Sequence, residues 1–150
     1  MSAFFTIGYE QATSAAVLDA LADAKVALLV DVRAVAASRR PGFSKRQLAA
    51  GLDERGIGYL HLRGLGTPKE GRLAARSGDA ATMLRIYEKH LATPQAREEL
   101  DELTALVRSG RCVCLLCYER DPRQCHRSRI AELLCERTGA TAEDLIPALL

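Results

Sequence analysis

The chain has no tryptophan, only four tyrosines and three phenylalanines, and no apolar run approaching the roughly 18 residues of a membrane-crossing helix. The scarcity of aromatics disfavours a general single-strand nucleic-acid binder, which stacks bases on such side chains. The missing apolar run excludes a helical membrane span, so no membrane partner is expected. Eleven glycines and five prolines are too few for a fibrous or low-complexity chain, and no internal repeat is visible. The start, Met1-Ser2-Ala3-Phe4-Phe5, lacks the basic segment and apolar stretch of a secretory leader. A cytoplasmic, reducing setting is therefore expected for the five cysteines, and their odd number disfavours a disulfide framework.

What is present suits one globular domain spanning residues 1–150: 48% of the side chains are hydrophobic, enough to bury a sizeable core. The formal net charge of +2 hides an uneven distribution. Residues 31–76 carry ten bases against four acids, a local +6. Seventeen of the 21 bases are arginine, the side chain suited to bidentate contact with phosphate or carboxylate. An anion-binding surface competes here with an ordinary solvated one.

Strands and helices alternate. Residues 3–7, 26–32, 57–62 and 112–117 are short apolar runs that predict strands, the second apolar enough to be buried on both faces. Between them lie helices: one capped by Ser14, one opened by the capping-box pair Ser44 and Gln47 and closed at Gly56, one from Asp79 with Leu84, Tyr87 and Leu91, and one from Thr93-Pro94 with Ala96, Leu100, Leu103 and Val107. A last helix is predicted to start at Asp121-Pro122 and end at Gly139. Residues 63–78, with four glycines and a proline, read as a long functional loop, and the final eleven residues as ambiguous. Such alternation predicts a three-layer α/β/α, Rossmann-like domain with a mainly parallel sheet of four or five strands.

In sheets of that kind ligands bind beyond the carboxyl ends of the strands. Those ends carry Gly8, Tyr9 and Glu10; then Asp31, Arg33, Arg39 and Arg40; then His61, Arg63 and Gly64; and then Cys117, Tyr118, Glu119 and Arg120. The opposite ends show no such concentration. On the fourth strand, side-chain alternation puts Cys112 and Cys114 on one face and Cys117 on the other. Cys112 and Cys114 are therefore expected in the core, with Cys135 of the last helix, leaving Cys117 and Cys125 as the chemical candidates. If the last helix starts at Pro122, then Cys125 and His126 sit in its first turn, where unpaired N–H groups and the dipole favour an anion or a thiolate.

Several chemistries fit the segment from Cys117 to Arg127. Cys117 and Arg123 have the Cys-x5-Arg spacing of cysteine phosphatases, but Glu119 and Asp121 would repel a phosphate there and glycine is missing. A zinc site from Cys117, Cys125 and His126 has suitable donors, but neighbouring helical residues such as Cys125 and His126 point about 100° apart. An enzyme could use Glu119 or His126 for proton transfer and Cys117 or Cys125 as a thiol, with Arg33, Arg39, Arg40 or Arg127 holding an anionic substrate. A non-catalytic pocket for a nucleotide, nucleic acid or acidic partner would use the same arginines. Plainer readings make His126 a core histidine and Glu119 the buried partner of Arg33 or Arg127.

Thr6-Ile7-Gly8-Tyr9-Glu10, Asp31-Val32-Arg33, Ser38-Arg39-Arg40-Pro41-Gly42-Phe43, His61-Leu62-Arg63-Gly64-Leu65-Gly66 and Cys117-Tyr118-Glu119 with Cys125-His126-Arg127 occur in this order. Together they resemble the family known as domain of unknown function 488. The resemblance implies a compact α/β domain, no settled activity, and emphasis on Gly8, Asp31, Arg33, Gly64, Cys117, Glu119, Cys125, His126 and Arg127. It also implies a short final strand near residues 144–147. The leading expectation is an enzyme or ligand-binding protein for a small anionic or nucleotide-like substrate at the carboxyl edge of the sheet. A nucleic-acid-binding module using residues 31–76 is the rival from another class. Substrate, reaction, cofactor and oligomeric state stay open.

Overall fold

The computed structural model describes residues 3–150; Met1 and Ser2 lie outside the described residues. The elements in chain order are β1 (Ala3–Gly8), α1 (Ser14–Asp23), β2 (Leu28–Asp31), α2 (Lys45–Glu54), β3 (Gly58–His61), α3 (Lys69–Arg76), α4 (Ala80–Leu91), α5 (Pro94–Arg108), β4 (Val113–Cys117), α6 (Arg127–Thr138) and β5 (Thr141–Leu145). Single 3-10 turns occupy Arg63–Leu65 and Pro122–Gln124. The strands form one all-parallel sheet in the order β3-β2-β4-β1-β5, flanked by helices as a three-layer Rossmann-like α/β domain. The ambiguous C-terminal stretch supplies the edge strand β5, whose Leu145 lies beside Ile7. No helix among the described residues is long and apolar enough to cross a membrane.

Alternation on the central strand β4 divides the core in two. Val113, Leu115 and Cys117 pack with Met83, Tyr87, Leu103, Ile130 and Leu134 on the face covered by α3 to α6. Cys114 and Leu116 pack with Val17, Leu21, Leu48 and Leu52 on the face covered by α1 and α2. Cys112 and Cys135 are partly buried against these two cores, so three of the five cysteines are packing groups as expected. The connection from β2 leads outward to β3, whereas that from β4 leads the other way to β5. The chain therefore parts at the carboxyl ends of β2 and β4, where a crevice forms in such sheets.

Several local expectations are corrected. Thr13, not Ser14, caps α1, accepting from the Ala16 N–H at 3.1 Å. Ser44 precedes α2 without capping it; its hydroxyl bonds the Ser38 backbone at 3.1 Å, and Gln47 accepts from Gly42 N–H. On α4, Leu84 faces solvent and Met83 takes the core position. The 63–78 stretch is not a loop but a 3-10 turn followed by α3, with Gly71 buried where a Cβ would collide with the Thr67 methyl group. Glycine serves close packing there, not chain freedom.

Asp79 caps α4 as expected, accepting from the Thr82 N–H at 3.0 Å and its hydroxyl at 2.6 Å. These bonds hold its carboxyl below the ordinary value. A carboxylate depressed in the folded state stabilises above its unfolded pKa and loses that contribution as pH falls through the depressed value. Asp79→Ala is therefore expected to lower the melting temperature slightly at neutral pH. The gap from the parent should narrow as the pH drops below the usual carboxylate range, read by parallel melts across the acid limb.

Candidate functional site

A cavity of about 840 Å³ opens at the carboxyl edge between β2 and β4, within the range for small-ligand sites. Its lining includes Tyr9 and Glu10 after β1, Arg33 to Val35 after β2, Thr67, Arg72 and Arg76 around α3, and Cys117, Tyr118, Glu119, Cys125 and His126 between β4 and α6. Of the four strand ends expected to converge, those of β1, β2 and β4 line this cavity, whereas the β3 end with His61, Arg63 and Gly64 does not; Cys117, Glu119 and His126 share the cavity with Arg33.

One wall is fixed by a buried ion pair. Asp31 accepts from the Arg33 Nε at 2.9 Å, Nη2 at 2.7 Å and backbone N–H at 3.1 Å. Tyr59 donates its hydroxyl to the same carboxylate at 2.6 Å. The remaining Arg33 nitrogen, Nη1, donates to the Phe43 carbonyl at 2.8 Å and the Tyr9 hydroxyl at 3.2 Å. Burial opposes the charge on Arg33, but Asp31 outweighs it and holds the guanidinium firmly protonated. Arg33 thus lines the cavity while all three of its guanidinium nitrogens are engaged within the protein. Tyr9 stacks on Phe43 at 4.4 Å and meets Tyr118 edge-on at 5.4 Å, joining the ends of β1 and β4 to this network.

The floor is the segment between β4 and α6. Asp121 accepts from the Arg123 N–H and starts a turn at Pro122, but the turn ends at Cys125, whose backbone is extended (φ −129°, ψ 146°). His126 then becomes the cap residue of α6. Cys125 and His126 are therefore not in one helical turn, which corrects the placement inferred from Asp121-Pro122. The His126 Nε2–H donates to the Val32 carbonyl at 2.7 Å, leaving Nδ1 without its proton and 3.6 Å from the Cys125 sulfur. Burial holds this imidazole neutral, its pKa pushed down to about 4. The ring meets Tyr87 edge-on at 5.2 Å, so His126 is both packed in the core and open to the sulfurs.

Contrary to the expectation of free thiols, the structure joins Cys117 and Cys125 sulfur to sulfur; their Cα atoms stand 7.4 Å apart. Arg127, fully buried, donates through Nη1 to the Cys117 sulfur at 3.1 Å and the Glu119 carbonyl at 2.6 Å, and through Nη2 to the Arg120 carbonyl at 3.3 Å. It binds the Glu119 backbone and forms no ion pair with the carboxylate. Burial raises the Glu119 pKa, and its Oε2 lies 3.8 Å from the Cys117 sulfur.

Of the residues expected at the site, Tyr9, Arg33, Cys117, Glu119, Cys125 and His126 line the cavity. Gly8, Asp31, Arg40 and Arg127 support its walls, Gly64 lies outside the lining, and Arg39 is exposed outside it. Arg40 reaches back to the Tyr9 carbonyl at 2.7 Å and to that of Ala12. Gly64 is fastened to Glu99 at 2.9 Å and to His90 at 2.6 Å. Arg72 and Arg76 belong to the basic 31–76 segment but are not among the residues expected at the site; their i,i+4 spacing places them on one face of α3, a signal that a loop over 63–78 would not carry.

A family model described as "Domain of unknown function DUF488" matches residues 13–134, most of the chain. The chain belongs to the DUF488 family. The match runs from the cap of α1 into α6, so it includes the Asp31–Arg33 pair and the Cys117–Arg127 segment and leaves out β1 with Gly8. No curated protein and no solved structure matches the chain. For this DUF488 member, geometry is therefore the guide to chemistry.

Proposed function

We propose that this protein is an enzyme acting on a small anionic substrate of nucleotide size in the carboxyl-edge cavity. The observation that carries the reading is the juxtaposition, across one cavity, of Arg72 and Arg76 with the Cys117–Cys125–His126 group and Glu119. Among the described residues neither arginine forms an ion pair; Arg72 has one bond, to the Thr67 carbonyl at 2.8 Å. The anion clamp thus moves from Arg33, Arg39 and Arg127 to the α3 pair. The sulfur–imidazole group is the chemical centre, and Glu119 is the proton-carrying group beside it.

The test is calorimetric titration with inorganic phosphate and nucleoside monophosphates at low salt. Saturable binding is expected, weakened roughly tenfold or more in the Arg72→Ala/Arg76→Ala double variant, since a hydrogen bond to a charged group contributes about 1.5–3 kcal/mol. Arg76 is exposed and Arg72 half-buried with a single bond to the Thr67 carbonyl, so the variant should melt close to the parent. No binding of any of these anions by the parent sinks the proposal. So does binding confined to polynucleotides with a steep salt dependence, the signature of the nucleic-acid-binding module.

A further inference from the structure

We propose that Cys117, Cys125 and His126 form a three-ligand site for a zinc-class divalent metal, with the fourth coordination position facing the cavity. The inference deepens the reading above, resting on it only for what the metal would act upon. The three donor atoms lie within 4.8 Å of one another, all buried, at the cavity floor. Neighbouring helical residues diverge by about 100°, but that restriction does not apply to this trio, because Cys125 is extended and the helix begins only after His126.

Three further features fit. The 3.6 Å between the Cys125 sulfur and His126 Nδ1 matches the separation of about 3.6 Å that a sulfur and a nitrogen take on a tetrahedral zinc, with bonds of about 2.3 and 2.05 Å. The His126 Nε2–H is held by the Val32 carbonyl at 2.7 Å, the outer hydrogen bond that fixes a metal-binding imidazole in the right tautomer and orientation. Arg127 supplies the matching outer contact to sulfur, Nη1 to Cys117 at 3.1 Å. In addition, the 7.4 Å between the two cysteine Cα atoms exceeds the span of roughly 4.4–6.8 Å usual for a disulfide. Two thiolates on one ion sit about 3.8 Å apart and need such a wider base. Two cysteines and one histidine with a position left toward substrate is a ligand set of catalytic, not structural, zinc.

The sulfur–sulfur bond must be reduced first. A phosphine does this with one water molecule, giving two thiols and the phosphine oxide; metal binding then releases both thiol protons to solvent. Cobalt(II) is the probe, added anaerobically to reduced full-length protein. One equivalent should produce a sulfur-to-cobalt charge-transfer band and tetrahedral ligand-field bands. Cys117→Ser and Cys125→Ser should weaken the charge-transfer band, and His126→Gln should weaken affinity by more than the roughly 10–100-fold that loss of an outer partner costs. A second readout needs no variant: metal should slow alkylation of Cys117 and Cys125 roughly tenfold or more, because alkylation requires a free thiolate, and leave Cys112 and Cys135 unchanged. Absence of the charge-transfer band, or equal protection of all four cysteines, overturns the site. Phosphate binding measured on the same reduced, metal-free protein tells this failure from failure of the anion reading.

Discussion

Asp31→Asn is expected to destabilise the protein by about 3–5 kcal/mol, the usual cost of removing one partner from a buried ion pair. For a chain of this length that is a fall of roughly 10 °C in melting temperature. Asp31 is wholly inaccessible and Arg33 nearly so. The carboxylate accepts two guanidinium bonds, the Arg33 backbone N–H and the Tyr59 hydroxyl. An amide offers one acceptor oxygen and turns two donors toward a guanidinium that has none to accept them. The cation stays charged, unscreened and buried. The damage should reach the site, because the Arg33 carbonyl accepts from His61 at 2.7 Å and its Nη1 holds Tyr9 and the Phe43 carbonyl. The double variant Asp31→Leu/Arg33→Met removes both charges and should melt well above Asp31→Asn, as apolar replacement of whole buried pairs often does. Denaturant melts of the two singles and the double give the coupling energy. A loss within about 0.5 kcal/mol for Asp31→Asn, the range of ordinary surface changes, would show that the network does not hold this wall.

The fate of Arg33 also shows what the sequence could and could not disclose. Alternation in β4 and the rule that ligands sit beyond strand ends located the cavity, because both depend only on strand periodicity and order. Whether an arginine there is free depends on a partner's direction. Asp31 and Arg33 are two apart, and nothing in that spacing says that the chain turns so that one side chain grips the other. Asp121-Pro122 misled for a related reason: a cap and a proline start a 3-10 turn as readily as a helix. The contacts that hold the chain after the turn lie outside it: Arg127 binds the Glu119 and Arg120 carbonyls, and His126 is tied across the fold to Val32. In α3 the glycine that suggested a loop was selected by the neighbouring Thr67 side chain. The pairing of Cys117 with Cys125 was likewise beyond sequence spacing, which gave only their common edge.

Gly8→Ala should remove both stability and the site, by about 3 kcal/mol in the first respect: overpacking costs about 1–3 kcal/mol and a displaced buried hydrogen bond about as much again. Gly8 ends β1 beside Cys117, and the two chains remain zipped beyond the strands, Glu10 N–H donating to the Tyr118 carbonyl at 2.8 Å and Arg120 N–H to the Glu10 carboxylate at 3.0 Å. A Cβ on Gly8 would overlap the carbonyl of Glu119 and lie 3.1 Å from the Arg120 nitrogen. These are backbone atoms, so no rotamer change relieves the clash; the peptide has to move. That peptide carries the carbonyl held by Arg127 at 2.6 Å, and Arg127 also touches the Cys117 sulfur. Displacing it shifts Glu119 and loosens the sulfur group together. The control is Gly51→Ala in α2, where the closest atom to the new methyl is a Leu18 side-chain carbon at 3.0 Å, which can turn away. Helix propensity favours alanine there by about 1 kcal/mol, so Gly51→Ala should be neutral or mildly stabilising. Gly8→Ala should instead lower the melting temperature and weaken the cobalt charge-transfer band of the reduced protein, at temperatures where circular dichroism still shows the fold. An unchanged band in a folded Gly8→Ala protein would mean that the Glu119 peptide does not position the sulfur group.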